Sequence, residues 1–253
     1  MGEGGGVFDA CVTTSPAAAR SAAGTPPHPL DSAAWSALTG PHARFATGTD
    51  LARRYPADVS PFAAVASFDD PAAWADLRGL YATSEVAGLA IPAGQAWSVP
   101  TGWELDGVVP GVQLVSTPAL RSYPDEEAVA LGPDDVAEAT DLVARTEPGP
   151  FRPRTVELGT YLGIHRDGRL VAMAGERLHP TGFTEISAVC TDPAYRRQGL
   201  ATGLVRAVAD LVRERGDVPF LHTSAANTRA IRLYLAMGFD LRTEVQFVAL
   251  RAL

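Results

Sequence analysis

Strand-like and helix-like stretches alternate along these 253 residues, and the pattern predicts an α+β fold with a sheet flanked by helices. Three observations carry that reading. Between Phe183 and Gly216 an apolar strand-like run is followed by a tight glycine turn and then by a long amphipathic pattern. Further upstream, the runs 160–165 and 170–175 flank Arg166-Asp167-Gly168-Arg169, an Asp-Gly hairpin signal that implies antiparallel pairing. The first half of the chain repeats a strand, helix, strand order between residues 62 and 91.

Taken in order, residues 1–29 are rich in Gly, Ala, Ser, Thr and Pro without apolar periodicity and read as a disordered leader. A short helix is expected over 31–39, capped by Asp31. Residues 62–67 read as a buried strand. Asp70-Pro71 is a helix start, and Ala72, Trp74, Leu77, Leu80 and Tyr81 follow at helical spacing. Residues 86–91 read as the next strand and 105–116 as a last, interrupted one. Residues 30–117 thus form a smaller α/β N-terminal half, and 118–125, with Pro118 and Pro124, the linker to a domain over 126–253. In that domain 127–131 reads as a strand and 133–144 as a helix with acidic residues in its first turn. The helix pattern that opens at Arg197 carries Leu200, Leu204, Val205, Val208, Leu211 and Val212 on one face, and Gly216 ends it. Residues 220–223 form a strand, Asn227 or Ser224 caps the next helix, Gly238 ends it, and 239–250 supply the closing strands.

Composition narrows the function classes. No apolar run approaches the length of a membrane span, and no basic region leads an apolar core as in a secretory signal. Cys11 and Cys190 make no disulfide framework, which points to a cytoplasmic protein with reduced thiols. The net charge is −8, and every basic residue is an arginine. An acidic chain without a basic tract is a poor nucleic-acid binder. Residues 1–125 hold 12 acidic and 6 basic side chains, a balance of −6, against −2 for the remainder. If that half lines a substrate groove, a cationic substrate is expected.

The segment Arg196-Arg197-Gln198-Gly199-Leu200-Ala201 joins the strand ending at Thr191 to the amphipathic helix. A helix N-terminus presents backbone N–H groups without intrahelical partners, and its dipole adds partial positive charge. Such a place binds an anion, above all a phosphate. Gly199 lets the backbone approach a ligand, Ala201 keeps the surface small, and the two arginines add charge suited to phosphate. The run Val189-Cys-Thr-Asp-Pro-Ala-Tyr-Arg-Arg-Gln-Gly-Leu-Ala201 resembles the acetyl-CoA loop of the GCN5-related N-acetyltransferases, Gln/Arg-x-x-Gly-x-Gly/Ala. Downstream, Asn227-Thr-Arg-Ala-Ile-Arg-Leu-Tyr-Leu-Ala-Met-Gly-Phe239 resembles that superfamily's second signature, Asn-x-x-Ala-x-x-Leu-Tyr-x-x-x-Gly-Phe. The resemblance covers roughly 126–253, and Glu185-Ile-Ser-Ala-Val together with Phe220-Leu-His looks most like the FR47-like branch. It implies a mixed, mostly antiparallel sheet, preceded here by a degenerate N-terminal half like that of two-domain relatives.

The resemblance implies acetyl-CoA as co-substrate, no metal, and direct acetyl transfer to a primary amine on a small molecule or peptide. Acceptor and oligomeric state stay open. A non-catalytic acyl-CoA-binding module, or a transferase of longer acyl groups, are the rival readings. In the family the backbone of the strand before the loop, here Val189, Cys190 and Thr191, pairs with the pantetheine arm, and an N–H near Val189 polarises the thioester. Tyr234 matches the tyrosine that protonates the departing thiolate; its phenol has a reference pKa of about 10, close to a thiol's. Its plain alternative is a packed aromatic between Ile231 and Leu235. Asn227 matches a residue touching the pantetheine arm and is equally a helix cap. For general base, Glu185 matches one branch's strand glutamate, and His222 matches another branch's base position, five residues before the asparagine. His has a reference pKa near 6.5, suited to the task. The alternatives are, for Glu185, a strand residue facing solvent or an arginine and, for His222, a satisfied core histidine. Cys190 reads as a small buried residue and not as a nucleophile.

Overall fold

The computed structural model describes residues 28–253, and one eight-stranded sheet organises them. In chain order the elements begin with α1 (Ala33–Thr39), β1 (Thr47–Gly48), β2 (Ala52–Arg54), β3 (Ala63–Val65), α2 (Pro71–Gly79), β4 (Val86–Pro92) and β5 (Trp103–Ser116). They continue with β6 (Val129–Ala130), α3 (Val136–Thr146), β7 (Tyr161–Arg166), β8 (Arg169–Glu176), β9 (Phe183–Thr191), α4 (Leu200–Glu214), β10 (Val218–Ser224), α5 (Thr228–Met237) and β11 (Phe239–Ala252). β1, β2 and β3 form a small separate sheet, and the large sheet runs β4-β11-β5-β10-β9-β8-β7-β6. Every ladder in it is antiparallel except β9 with β10. The α+β class, the flanking helices and the mostly antiparallel sheet match the expectation.

Local chemistry accounts for most elements. The Asp70 side chain caps α2 by accepting from the Ala72 N–H at 2.9 Å, with Pro71 at the first helical position. Asp167 (φ 51°) and Gly168 (φ 73°) make the two left-handed turn residues that a two-residue hairpin needs between β7 and β8. Asn227 caps α5 through the Ala230 N–H, and Gly238 at φ 105° terminates it. α4 lays Leu204, Val205, Val208 and Val212 on Ile164, Val171, Ile186 and Leu221 of the sheet.

Several expectations are corrected. α4 begins at Leu200 and not at Arg197, because Arg197 (φ 65°) and Gly199 (φ 85°) are both left-handed. Asp31 does not cap α1; Ser32 holds that position, and the Asp31 carboxylate pairs with Arg242. β5 is not interrupted. Pro110 sits where the β10 ladder ends, so its missing N–H costs no pairing, while its carbonyl accepts from the Ala225 N–H at 2.9 Å. The closing segment is one 14-residue strand, β11, and not several. The strand between β11 and β10 comes instead from the N-terminal half: β5 pairs with β11 along its whole length and with β10 over Gly111–Val115.

Consequently the division drawn at 118–125 does not separate two sheets. Leu120 in that segment is buried in the main core, and Arg213 of α4 donates to the carbonyls of Leu120 at 2.6 Å and Thr117 at 3.0 Å. Of the expected leader, residues 1–27, with Cys11, lie outside the described residues. Among the described residues, no helix is long and apolar enough to cross a membrane, and no group of side chains is arranged to hold a metal ion.

Candidate active site

The site begins with a defect in the sheet. β9 and β10 run parallel but pair only at Phe183, Thr184 and Glu185 against Val218, Pro219 and Phe220. Beyond that point they diverge, leaving the β10-facing edge of residues 186–191 without a strand partner among the described residues. A cleft of about 1080 Å³ fills the gap. Residues 186–191 of β9, the 195–202 loop and turn apart from Gln198, His222 to Ser224, Asn227 and Tyr234 line it.

β9 is distorted where it borders the cleft. Met173 pairs with Cys190 and Gly175 with Ser187, so Ala174 alone faces both Ala188 and Val189 across a β-bulge. Ala188 takes the left-handed conformation at φ 54°. For a residue with a Cβ this costs on the order of 1–2 kcal/mol, and such strain concentrates at sites where the backbone must be aimed. Thr191 Oγ1 is buried without a hydrogen-bond partner among the described residues.

At the mouth, Asp192 caps a short 3-10 turn over Pro193–Tyr195, and Arg145 anchors the Asp192 carboxylate. The left-handed Arg197 and Gly199 then turn the chain into α4. Among the described residues no side chain caps α4, which leaves its first-turn N–H groups available, and a Cβ built on Gly199 would meet no atom within 4 Å. Backbone donors, a helix dipole and the Arg196 and Arg197 side chains together make a candidate anion cradle on the cleft wall. Of the residues expected to bind cofactor, Val189, Cys190, Thr191, Arg196, Arg197, Gly199, Leu200, Ala201 and Asn227 line the cleft, and Gln198 does not.

Tyr234 lines the depth of the cleft from α5, its ring set edge-on to Phe239 with centroids 5.9 Å apart. Burial raises its phenol to about 12, with Cys190 adding to the effect. The phenol therefore lies higher than the expected match to a thiol, and it stays protonated throughout the neutral range. Burial likewise pushes the Cys190 thiol to about 11, so it is not a thiolate at neutral pH.

Glu185 and His222 are held differently from a free general base. Glu185 is fully buried, does not line the cleft, and accepts from Arg177 Nε at 3.0 Å and Nη2 at 2.5 Å. Burial would push its carboxyl up, but Arg177 and His222 outweigh this and hold it at about 2. His222 lines the cleft with both nitrogens engaged. Nδ1 lies 2.8 Å from Glu185 Oε1, and Nε2 lies 3.0 Å from Gln113 Nε2. Arg242 donates to Gln113 Oε1 at 2.9 Å, which turns the Gln113 NH₂ toward His222. With the Gln113 NH₂ turned toward it, Nε2 is the acceptor and Nδ1–H the donor to Glu185.

The far wall was not foreseen. Pro61, Phe62, Gly88, Leu89, Gly107 and Val109 line it from the N-terminal half, with Phe247 from β11. Phe247 covers Gly111, where any Cβ would lie 2.4 Å from the ring, and stacks edge-on against His222. Among the described residues, those of 1–125 that line the cleft are all uncharged, so the described part of that half brings no carboxylate to the lining and the expected attraction for cations has no support there.

Comparison with known proteins follows this geometry. The FR47-like protein family matches residues 161–248. The chain is 30% identical over 186 residues to the mycothiol acetyltransferase of Sanguibacter keddieii, covering 65% of this chain and 55% of that protein. It therefore spans about half the length of that relative. It is 31% identical over 130 residues to the N-alpha-acetyltransferase RimI of Mycobacterium tuberculosis, covering 46% of this chain and 81% of that one. Among solved structures, a GNAT-family acetyltransferase structure from Novosphingobium aromaticivorans superposes with a TM-score of 0.82 at 38% identity, over 90% of this chain and 100% of that one. A GCN5-related N-acetyltransferase from Kribbella flavida, at 20% identity and a TM-score of 0.58 over 87% and 95% of the two chains, shares the fold.

Proposed function

The chain belongs to the GCN5-related N-acetyltransferase (GNAT) family, and on that footing we propose that it transfers an acetyl group directly from acetyl-CoA to a primary amine. The observation that carries this reading is the splay between β9 and β10, with the Arg197–Gly199 anion cradle at its mouth and Tyr234 in its depth. Bound acetyl-CoA supplies an activated acetyl thioester. The N–H groups at the start of α4, with Arg196 and Arg197, hold the pyrophosphate. The unpaired edge of β9 takes the pantetheine arm as a neighbouring strand, a mode that reads backbone and not side chain. The bulge at Ala188 and Val189 would leave a backbone N–H to donate to the thioester oxygen, where negative charge would develop. Tyr234 holds a proton for the departing sulfur.

Neither Glu185 nor His222 is free to take the amine's proton in this arrangement. We assign them to positioning: Glu185 neutralises Arg177 and fixes the His222 ring, which with Gln113 ties β9, β10 and β5 together. The amine's proton passes to water in the open cleft.

The test follows CoA release with a panel of primary amines in wild type and Tyr234→Phe. The substitution removes one oxygen and keeps the ring packing on Phe239. Acetyl-CoA affinity and stability should stay near wild type while turnover falls about 10²-fold. If turnover is unchanged, Tyr234 is a core aromatic only; if affinity and stability fall with turnover, packing explains the loss.

A further inference from the structure

The cleft has two strand edges, and the cofactor reading uses one of them. β5 pairs with β11 from Trp103 to Ser116 but with β10 only from Gly111 to Val115. The β10-facing edge of residues 103–109 therefore has no strand partner among the described residues. In an antiparallel strand alternate residues direct both N–H and C=O to the same side, so this stretch offers a row of free donors and acceptors. It lies past the end of β10, and Gly107 and Val109 line the same cleft as Tyr234 and Cys190.

The side chains on this edge sharpen the point. Leu105, Val108 and Val109 are 43%, 41% and 51% exposed. Proteins normally blunt an open edge with charge, proline or a cover. Pro110 terminates this stretch, and it carries Glu104 and Asp106 toward its start, but the segment nearest the cleft, Gly107-Val108-Val109, is bare and apolar. The edge strand β4, two strands away, is treated differently: Phe62 bridges to Gly88 and covers part of it. An exposed apolar edge that opens into a catalytic cleft fits an occupant with an extended backbone, apolar side chains and an amine at its end.

Resting on the acetyltransferase reading, we propose that the acceptor is the N-terminal amine of an extended polypeptide segment that adds as a strand to the free edge of β5 at residues 105–109. The edge gives affinity through main-chain hydrogen bonds, and Val108 and Val109 favour apolar residues at alternate positions of the peptide. Added antiparallel to β5, in line with β10, the peptide has its first residue beside the end of β10 at Ser224, where β9 and β10 diverge. The amine nitrogen forms the new bond to the acetyl carbon, the carbon–sulfur bond breaks, and the amine's proton leaves to water.

The experiment compares free peptides as acceptors with the full chain and acetyl-CoA, following CoA release. A six-residue apolar peptide should exceed its own first residue, supplied as the amide, by tenfold or more in kcat/KM. Single backbone N-methylations along residues 2 to 5 should alternate, positions facing β5 losing about three- to tenfold each, as for one lost hydrogen bond, and the others little. Leu105→Lys together with Val108→Lys, both exposed and neither lining the cleft, should remove the advantage of the long peptide while leaving the rate with the single-residue amide unchanged. Equal rates for peptide and amide, or N-methyl effects without alternation, overturn the proposal. So does a dimer in sedimentation that the lysine variant makes monomeric, since a second copy would then own the edge. A wild type that binds acetyl-CoA and acetylates small amines but shows no peptide preference overturns only this inference; one that releases CoA with no amine at all overturns the reading beneath it.

Discussion

Gly199→Ala separates the cost of a backbone conformation from the cost of blocking a ligand. Gly199 stands at φ 85°, and a Cβ added there meets nothing within 4 Å. The substitution therefore creates no clash in the free protein and costs only the left-handed conformation, about 1–2 kcal/mol. For a chain of this size that lowers Tm by roughly 2–8 °C. The same Cβ projects into the anion cradle. Wild type at a hundredfold excess of acetyl-CoA over Kd gains about 2.7 kcal/mol, or roughly 5–11 °C. If the variant binds at least tenfold more weakly, half or more of that gain disappears. Gly216→Ala is the internal control: it has the same φ of 85°, the same empty surroundings, and lies past the far end of α4. Thermal unfolding of the three proteins with and without acetyl-CoA decides the matter. Both variants should lose a similar few degrees without ligand, and only Gly199→Ala should lose the ligand-induced rise. A full rise in Gly199→Ala would refute the cradle.

His222→Gln tests positioning against base catalysis: turnover at neutral pH should fall less than about tenfold, by a factor that does not shrink as pH rises, whereas a 10²–10⁴-fold loss that recovers at high pH would make His222 the base. Acid stability should carry two marks. Burial, with His179 beside it, lowers His42 from 6.5 to about 3, and Glu185 is held at about 2 against 4.5. In both cases the unfolded chain binds the proton more readily, so stability present at neutral pH is lost as pH falls, from 6.5 toward 3 for His42 and from 4.5 toward 2 for Glu185. Denaturant titrations should show wild type losing stability between pH 6.5 and 4.5 by up to about 1.4 kcal/mol per pH unit from His42 alone. His42→Gln should be flatter in that window, and parallel curves would refute the assignment.

Periodicity and end signals located nearly every element of the C-terminal half, because each is a local property. The Asp167-Gly168 turn needs two left-handed residues, α5 needs its Asn227 cap and Gly238 stop, and α4 needs one apolar stripe; all are read within a few residues of where they act. What failed was pairing. Nothing in residues 105–116 states that they lie between β10 and β11, for strand order is fixed by contacts more than a hundred residues apart. Pro110 and Gly111 looked like an interruption because their roles are tertiary: Pro110 ends a ladder, and Gly111 makes room for the Phe247 ring.

The same divide runs through the site. The cofactor side was legible because the Arg196–Ala201 turn and the Asn227–Phe239 helix are contiguous and their spacing is chemically constrained. The bulge at Ala188 left no trace, since an alanine in left-handed backbone is chosen by its surroundings and not by its side chain. Glu185 and His222 were visible as titratable residues, but their availability depends on Arg177, Gln113 and Arg242, three residues with no sequence signal for that role. The far wall was least legible of all. Phe62, Val109 and Phe247 come from three distant stretches and look like ordinary core, and only the early end of β10 at Ser224 turns them into a surface. Sequence identifies the half of such a site that must match one fixed ligand. The half that meets the acceptor is built from where strands stop, and it is read from topology.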